Sequence, residues 1–261
     1  MAQYRQQRQA LLDSKNSASK ETQTKIASIT RNMESIELAA HWINHTKQEK
    51  EAAIDPESID ENSDEFKNRA RTAISRLHGG SAPWMDHLAE NFGEREGPKG
   101  GPANPRLIKA LGIDPTAAAW CGTALGKAMG KAGIKPPDAA SWAGNWRNKE
   151  WGQDIRPTAA GLNVGDIYHI KYHDNKGHVA TVVGVSKDGT QVFCLGGNQN
   201  DGVNISAHPI GAFEKGSKIG AYKDATTAFK KPTGQHNNQP APTFDYNADP
   251  SSFNTLAGLT R

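Results

Sequence analysis

Cysteine is scarce: Cys121 and Cys194 are the only two in 261 residues, which excludes a disulfide-built scaffold and leaves each thiol to be explained singly. Long apolar runs are missing too. No stretch approaches the roughly 18 residues that a membrane-crossing helix needs, so stable membrane insertion is not expected. The first thirty residues are polar and charged, with no apolar core segment, and an ordinary secretory leader is not expected. Charge of one sign is also lacking. The 31 basic and 28 acidic residues leave +3, too small and too mixed for the clustered basic stripe of a nucleic-acid binder, so no nucleic-acid partner is expected. Hydrophobic residues make up 36% and mean hydropathy is −0.70, which is core material for one large domain or two modest ones.

What is present divides into three stretches. Residues 1–80 read as a helical segment, without Gly or Cys before Gly79 and with Pro56 as its one proline. Ile26, Ile29, Met33, Ile36, Ala40 and Ile43 alternate at spacings of three and four, a heptad-like seam. Such a stripe is buried either on the rest of its own chain or on another subunit. Pro56 disfavours helix at Asp55. A second helix fits residues 64–77, with Ser63 as N-cap and Gly79-Gly80 as its stop.

Residues 81–228 read as an α+β domain. A helix carries Trp84, Leu88 and Phe92, a Gly/Pro/Asn-rich loop covers 97–105, and a small-residue helix fits 117–132. Strand-like runs follow at 166–172, 178–185 and 191–195, joined by turn-forming Asp174-Asn175-Lys176-Gly177 and Lys187-Asp188-Gly189-Thr190. Such short links predict an antiparallel sheet. Residues 229–261 lose apolar density and read as an extended or disordered arm.

A thiol nucleophile needs a lowered pKa, a base within reach and a group that orients the base. Cys121 falls near a helix start, where free N–H groups favour a thiolate and an oxyanion. His178 opens a strand, and Asn198 follows the next strand in Leu195-Gly196-Gly197-Asn198-Gln199. Cys194 sits mid-strand and reads as a buried small hydrophobe. Asp166 reads as support for a strand entry. His169, His173, Asp174 and His178 are close in sequence without the spacing of a metal site, and neither metal nor cofactor is expected. Trp142, Trp146 and Trp151 either floor a cleft or fill the core.

The order of these residues resembles the phage-type endolysin branch of the NlpC and CHAP peptidase and amidase superfamily. The likeness rests on Trp84, Gly93-Glu94-Arg95-Glu96-Gly97, Asn104-Pro105-Arg106-Leu107, Trp120-Cys121, Val164-Gly165-Asp166-Ile167, Gly177-His178-Val179 and the Leu195–Gln199 run, and covers roughly residues 83–222. It implies a papain-like fold and a cysteine-dependent peptidoglycan amidase or endopeptidase, with Cys121 as nucleophile, His178 as base and Asn198 as orienting residue. Glu96 and Asn104 match positions lining or bracing the cleft, and Trp120 and Trp142 join them as substrate-binding candidates. Gly122, Gly126, Lys127 and Gly130 depart from the bulkier residues expected on the cysteine helix.

Neither flank resembles a wall-binding module. The expectation is a virion-associated lysin that acts at the cell wall and periplasm during genome entry, held to other phage particle proteins by the N-terminal helix and C-terminal arm. Residues 83–222 are then expected to fold alone. A free endolysin or secreted amidase effector is the rival within enzymology. A structural virion protein with a vestigial hydrolase fold is the rival outside it.

Overall fold

Two serine caps start the long helices of the N-terminal region. Ser19 Oγ accepts the Thr22 N–H at 3.1 Å to open α2 (Lys20–Thr46), and Ser63 Oγ accepts the Phe66 N–H at 3.2 Å to open α3 (Asp64–His78). Helix α1 (Ala2–Leu12) precedes them. Gly79, at φ +53°, closes α3 in the left-handed conformation that glycine adopts without strain. The computed structural model describes residues 1–14, 16–47, 51–56, 58–97, 101–155, 161–172, 176–211, 226–232 and 239–245. Helices α4 (Trp84–Ala89), α5 (Pro105–Leu111) and α6 (Cys121–Lys131) follow, then a 3₁₀ turn (Ala143–Arg147).

The strands are β1 (Gln153–Ile155), β2 (Ile167–Lys171), β3 (Gly177–Ser186), β4 (Gln191–Gln199), β5 (Gly202–Pro209), β6 (Thr226–Lys231) and β7 (Thr243–Phe244). They form one sheet in the order β1-β6-β2-β3-β4-β5, antiparallel throughout, with β7 added parallel to β3 at Val185 and Ser186. The expected α+β class and antiparallel sheet are present. The sheet is rolled. A flat sheet would hold β2 and β5 roughly 14 Å apart, yet the Tyr168 and His208 rings stack at 5.0 Å and Thr227 Oγ1 donates to the Ile210 carbonyl. Paired residues share a face, so register lines the inside of the roll with Tyr168, His178, Ala180, Cys194, His208 and Phe229. The outer face carries Val179, Thr181 and Leu195. There α4 is pinned by a hydrogen bond from Trp84 Nε1 to Thr181 Oγ1, and α6 packs on β3 and β4.

The flanks depart from expectation. The α2 stripe is covered by its own chain: Ser35, Ile36, Leu38, Ala39, Ala40, Trp42 and Ile43 are buried, and Trp42 Nε1 donates to the Val183 carbonyl of β3. Burial reaches well around the C-terminal half of the helix, wider than the heptad seam, while Ile29 and Met33 of that seam are only partly buried. The boundary at 228 falls inside β6, which lies between β1 and β2 and so belongs to the sheet. Part of the expected arm is likewise docked. Phe244 is buried against Phe193, and Gly184 makes room for it, since a Cβ at Gly184 would lie 2.0 Å from the Phe244 ring. Residues 246–261, with Tyr246, Phe253 and Leu256, lie outside the described residues.

Candidate active site

Cys121 is the first residue of α6, with Trp120 as N-cap. Its thiol meets three backbone N–H groups: that of Val179 on β3, that of Gly122 and its own. The contact with Val179 is possible because β3 and β4 part beyond the Thr181–Leu195 pair, where β4 continues on β5 alone. The expected thiolate-stabilising dipole is therefore in place. The expected low pKa is not, because Cys121 is 2% exposed and burial outweighs the three N–H groups, pushing the thiol up.

His178 stands one residue from Val179, also 2% exposed. Among the described residues no hydrogen bond joins the imidazole to the thiol. Its Nε2 lies 3.2 Å from Gln199 Oε1. The orientation of that carboxamide is determined by its other end, where Gln199 Nε2 donates to the carbonyls of Cys194 at 3.1 Å and Asn204 at 2.5 Å. Oε1 is thus the only face offered to the ring, and His178 must donate from Nε2. Its Nδ1 is left bare, the form a general base requires. Burial pushes His178 down to about 4, so the ring is neutral at pH 7.

The expected orienting residue, Asn198, is displaced by its neighbour. Asn198 takes φ +56° where β4 shifts register against β5 between Gly196 and Gln199. That bulge turns Gln199 to the inside of the roll, a change of facing that counting along a regular strand misses. His208 is the second residue missed. Its Nε2 donates to the same Gln199 oxygen at 2.9 Å, and its ring stacks on His178 with centroids 5.3 Å apart. The signal was alternation: His208 shares an inward face with Ser206 and Asn204.

Glu96 and Asn104 brace the site from behind. Glu96 Oε2 accepts Trp120 Nε1–H at 3.0 Å, which fixes the residue before the thiol. Asn104 caps α5 through its Oδ1 and donates from Nδ2 to Glu94 and the Arg95 carbonyl. Trp120 is fully buried against Gly197, where a Cβ would lie 2.6 Å from the indole, so it supports the wall and cannot contact substrate. The run Gly196-Gly197 has the same origin: a Cβ at Gly196 would lie 2.8 Å from that of Ala180.

No family model, curated protein or solved structure matches this chain. The site must be read from its own chemistry. Trp146 and Trp151 are core, packed edge to face at 5.0 Å. Trp142 is 63% exposed and borders an open cleft of about 630 Å³, whose wall includes Gly177, the residue before His178. Residues 140 and 141 pass over the start of α6, which explains a departure from the expected helix: a Cβ at Gly122 would lie 2.2 Å from the Ala140 carbonyl oxygen. Cys194 is fully buried, and burial pushes its thiol well above the ordinary value. Asp166 accepts the Asn163 N–H at 2.7 Å before β2, and burial pushes it up to about 7. Among the described residues no group of three His, Cys, Asp or Glu side chains is placed to hold a metal ion, and no helix is long and apolar enough to cross a membrane. His173 and Asp174 lie outside the described residues.

Proposed function

We propose that this protein is a cysteine-dependent hydrolase of a peptidoglycan amide bond, built on a papain-like domain, with Cys121 as nucleophile, His178 as base and Gln199 as its orienting residue. One observation carries the reading: the Cys121 thiol sits on the Val179 N–H in the gap where β3 and β4 part, and the neighbouring residue of β3, His178, is held by the Gln199 carboxamide on the inner face with Nδ1 bare, so that the proton has to cross that gap. The thiol gives its proton to Nδ1 as Sγ bonds the carbonyl carbon, and the α6 N–H groups receive the oxyanion. His178 passes that proton to the leaving amine as the C–N bond breaks. Water, deprotonated by the same nitrogen, then displaces Sγ, leaving a carboxylic acid and the restored thiol.

Peptidoglycan as substrate follows from the resemblance of residues 83–222 to phage-type lysins. The phage particle as setting rests on that resemblance alone, because the α2 stripe is buried on its own sheet. A structural protein with a silent site is the second reading, favoured by the burial of Cys121 and by the strap at residues 140 and 141. Zymography on cell-wall substrate separates the two. Clearing by the wild type and none by Cys121→Ala supports the hydrolase; equal absence of clearing supports the scaffold.

A further inference from the structure

The cleft beside Gly177 has a composition that catalysis alone does not require. Its wall carries Arg147, Lys171 and Lys176, and among the described lining residues there is no carboxylate. Lys171 makes no ion pair with any described residue. The floor is His169, which is 0% exposed, and neither of its ring nitrogens has a hydrogen-bond partner. The Ala143 backbone lies close enough to favour the protonated ring slightly. Gly177 lets the cleft wall pass close over this ring, since a Cβ there would lie 3.1 Å from His169 Nε2 and 2.8 Å from the Ile170 oxygen. Burial, reinforced by Arg147, His178 and Lys171, pushes His169 down to about 3, so at neutral pH it is a neutral ring with one N–H to give. A buried polar group without a partner costs stability, and a ligand that supplies the acceptor recovers it. Trp142 adds a flat apolar face at the rim, lying over Gly144, where a Cβ would lie 3.0 Å from the indole nitrogen.

We propose that this cleft is a subsite for a free carboxylate of an acidic peptide, held by Lys171, Arg147 and the His169 N–H, with the neighbouring backbone laid on Trp142. The proposal rests on the hydrolase reading for its choice of peptide. A peptidoglycan stem offers such a carboxylate on its γ-linked glutamyl residue and at its C-terminus, and Gly177 puts the subsite directly beside the base. Charge-assisted contacts of this kind discriminate strongly against a neutral amide of the same shape.

Binding is measured calorimetrically on full-length Cys121→Ala protein, so that nothing is cleaved. The probes are L-alanyl-γ-D-glutamyl-L-lysine and its forms amidated at the glutamyl carboxylate, at the C-terminus, or at both. The doubly amidated peptide is expected to bind about tenfold weaker or worse; which single amidation reproduces the loss identifies the carboxylate. Lys171→Met should weaken the acidic peptide and leave the doubly amidated one unchanged, whereas Trp142→Ala should weaken both alike. Equal binding of all four peptides, or no binding of any, overturns the subsite. Acid-selective binding by a protein whose wild type clears no cell wall keeps the subsite and removes the hydrolase reading. Clearing by wild type with amidation-blind binding does the reverse.

Discussion

The side-chain oxygen of Gln199 is shared by two imidazoles, accepting from His178 Nε2 at 3.2 Å and from His208 Nε2 at 2.9 Å. Both rings are thereby held as the tautomer that leaves Nδ1 bare. In the proposed reaction His178 uses that nitrogen as a base, while the Nδ1 of His208 is buried with no hydrogen-bond partner.

Gln199→Ala is therefore expected to lower turnover by about a hundredfold or more, because the ring loses both its orientation and its tautomer. Asn198→Ala should lower turnover little. It should instead cost about 1 kcal/mol in stability through φ +56°, and Asn198→Gly should restore that loss. Turbidity clearing of cell walls alongside thermal melts reads both. A larger kinetic loss at Asn198 than at Gln199 would return the orienting role to Asn198.

The buried histidines set the pH dependence of stability. His178 and His169 are pushed by burial down to about 4 and about 3, and His208 well below its ordinary value. Each is neutral when folded and takes up a proton on unfolding, so its stabilisation is complete above about 6.5 and is lost as pH falls towards the folded value. Asp166 works in the opposite sense. Burial raises it to about 7, so its contribution is present below about 3.8 and is lost as pH rises through 7. Three groups outweigh one, and the melting temperature should climb between pH 4 and 6.5. Asp166→Asn should raise it further at pH 7.5 while leaving it unchanged at pH 4, because the amide oxygen still accepts the Asn163 N–H. An Asp166→Asn protein less stable than wild type at pH 7.5 would mean that the carboxylate is ionised and favourably held.

Thiol labelling distinguishes the two cysteines. Three N–H groups oppose burial at Cys121, and none does at Cys194. Iodoacetamide should modify Cys121 first, with a rate that rises through pH 7 to 10 rather than levelling near pH 5. Peptide mass spectrometry reads it. A plateau near pH 5 would show that the resting thiol is already ionised, and first labelling at Cys194 would remove Cys121 as nucleophile.

What the sequence made legible, and what it hid, divides along a physical line. Caps, turns and alternation are local, so Ser63, Gly79, the sheet's antiparallel pairing and Cys121 at a helix start could all be read from the chain. The burial of Trp42 on Val183, the insertion of β6 between β1 and β2, and the docking of Phe244 depend on contacts far apart in sequence. The exchange of Gln199 for Asn198 depends on a single bulge. Low apolar density after residue 228 suggested an arm, yet Phe229 and Phe244 each fill a place in the core that the rolled sheet creates.

Two glycines of α6 should respond in opposite ways. A Cβ at Gly122 would lie 2.2 Å from the Ala140 oxygen and 2.8 Å from that of Ser141, both backbone atoms, whereas nothing lies within 4 Å of one at Gly130. Gly130→Ala should stabilise by about 0.5–1 kcal/mol through helix propensity. Gly122→Ala should destabilise by about 1–3 kcal/mol as the strap is pushed aside. Displacing it should also speed alkylation of Cys121. Slower alkylation would mean that the strap does not limit access to the thiol.

The docked flanks make a prediction that reverses the expectation for residues 83–222. A fragment with those ends lacks α2 and α3, which supply the Trp42–Val183 hydrogen bond and the Lys67–Glu94 ion pair at 3.1 Å, one of three contacts that hold Glu94 beside the Asn104 brace. It also lacks β6, leaving β1 without its partner and β2 with an open edge. Removing a buried tryptophan alone costs about 3–5 kcal/mol, comparable to the whole stability of many domains. The fragment should aggregate or melt without a cooperative transition, while a chain spanning residues 1–245 should melt cooperatively as a monomer. Hydrogen exchange on the full chain should find the backbone amides of residues 35–43 and of β6 among the most protected, and α1, whose surface is mostly exposed, among the least. A cooperatively folded 83–222 fragment, with fast exchange at residues 35–43 in the full chain, would mean that α2 is only loosely held and would reopen the case for a partner subunit on its stripe.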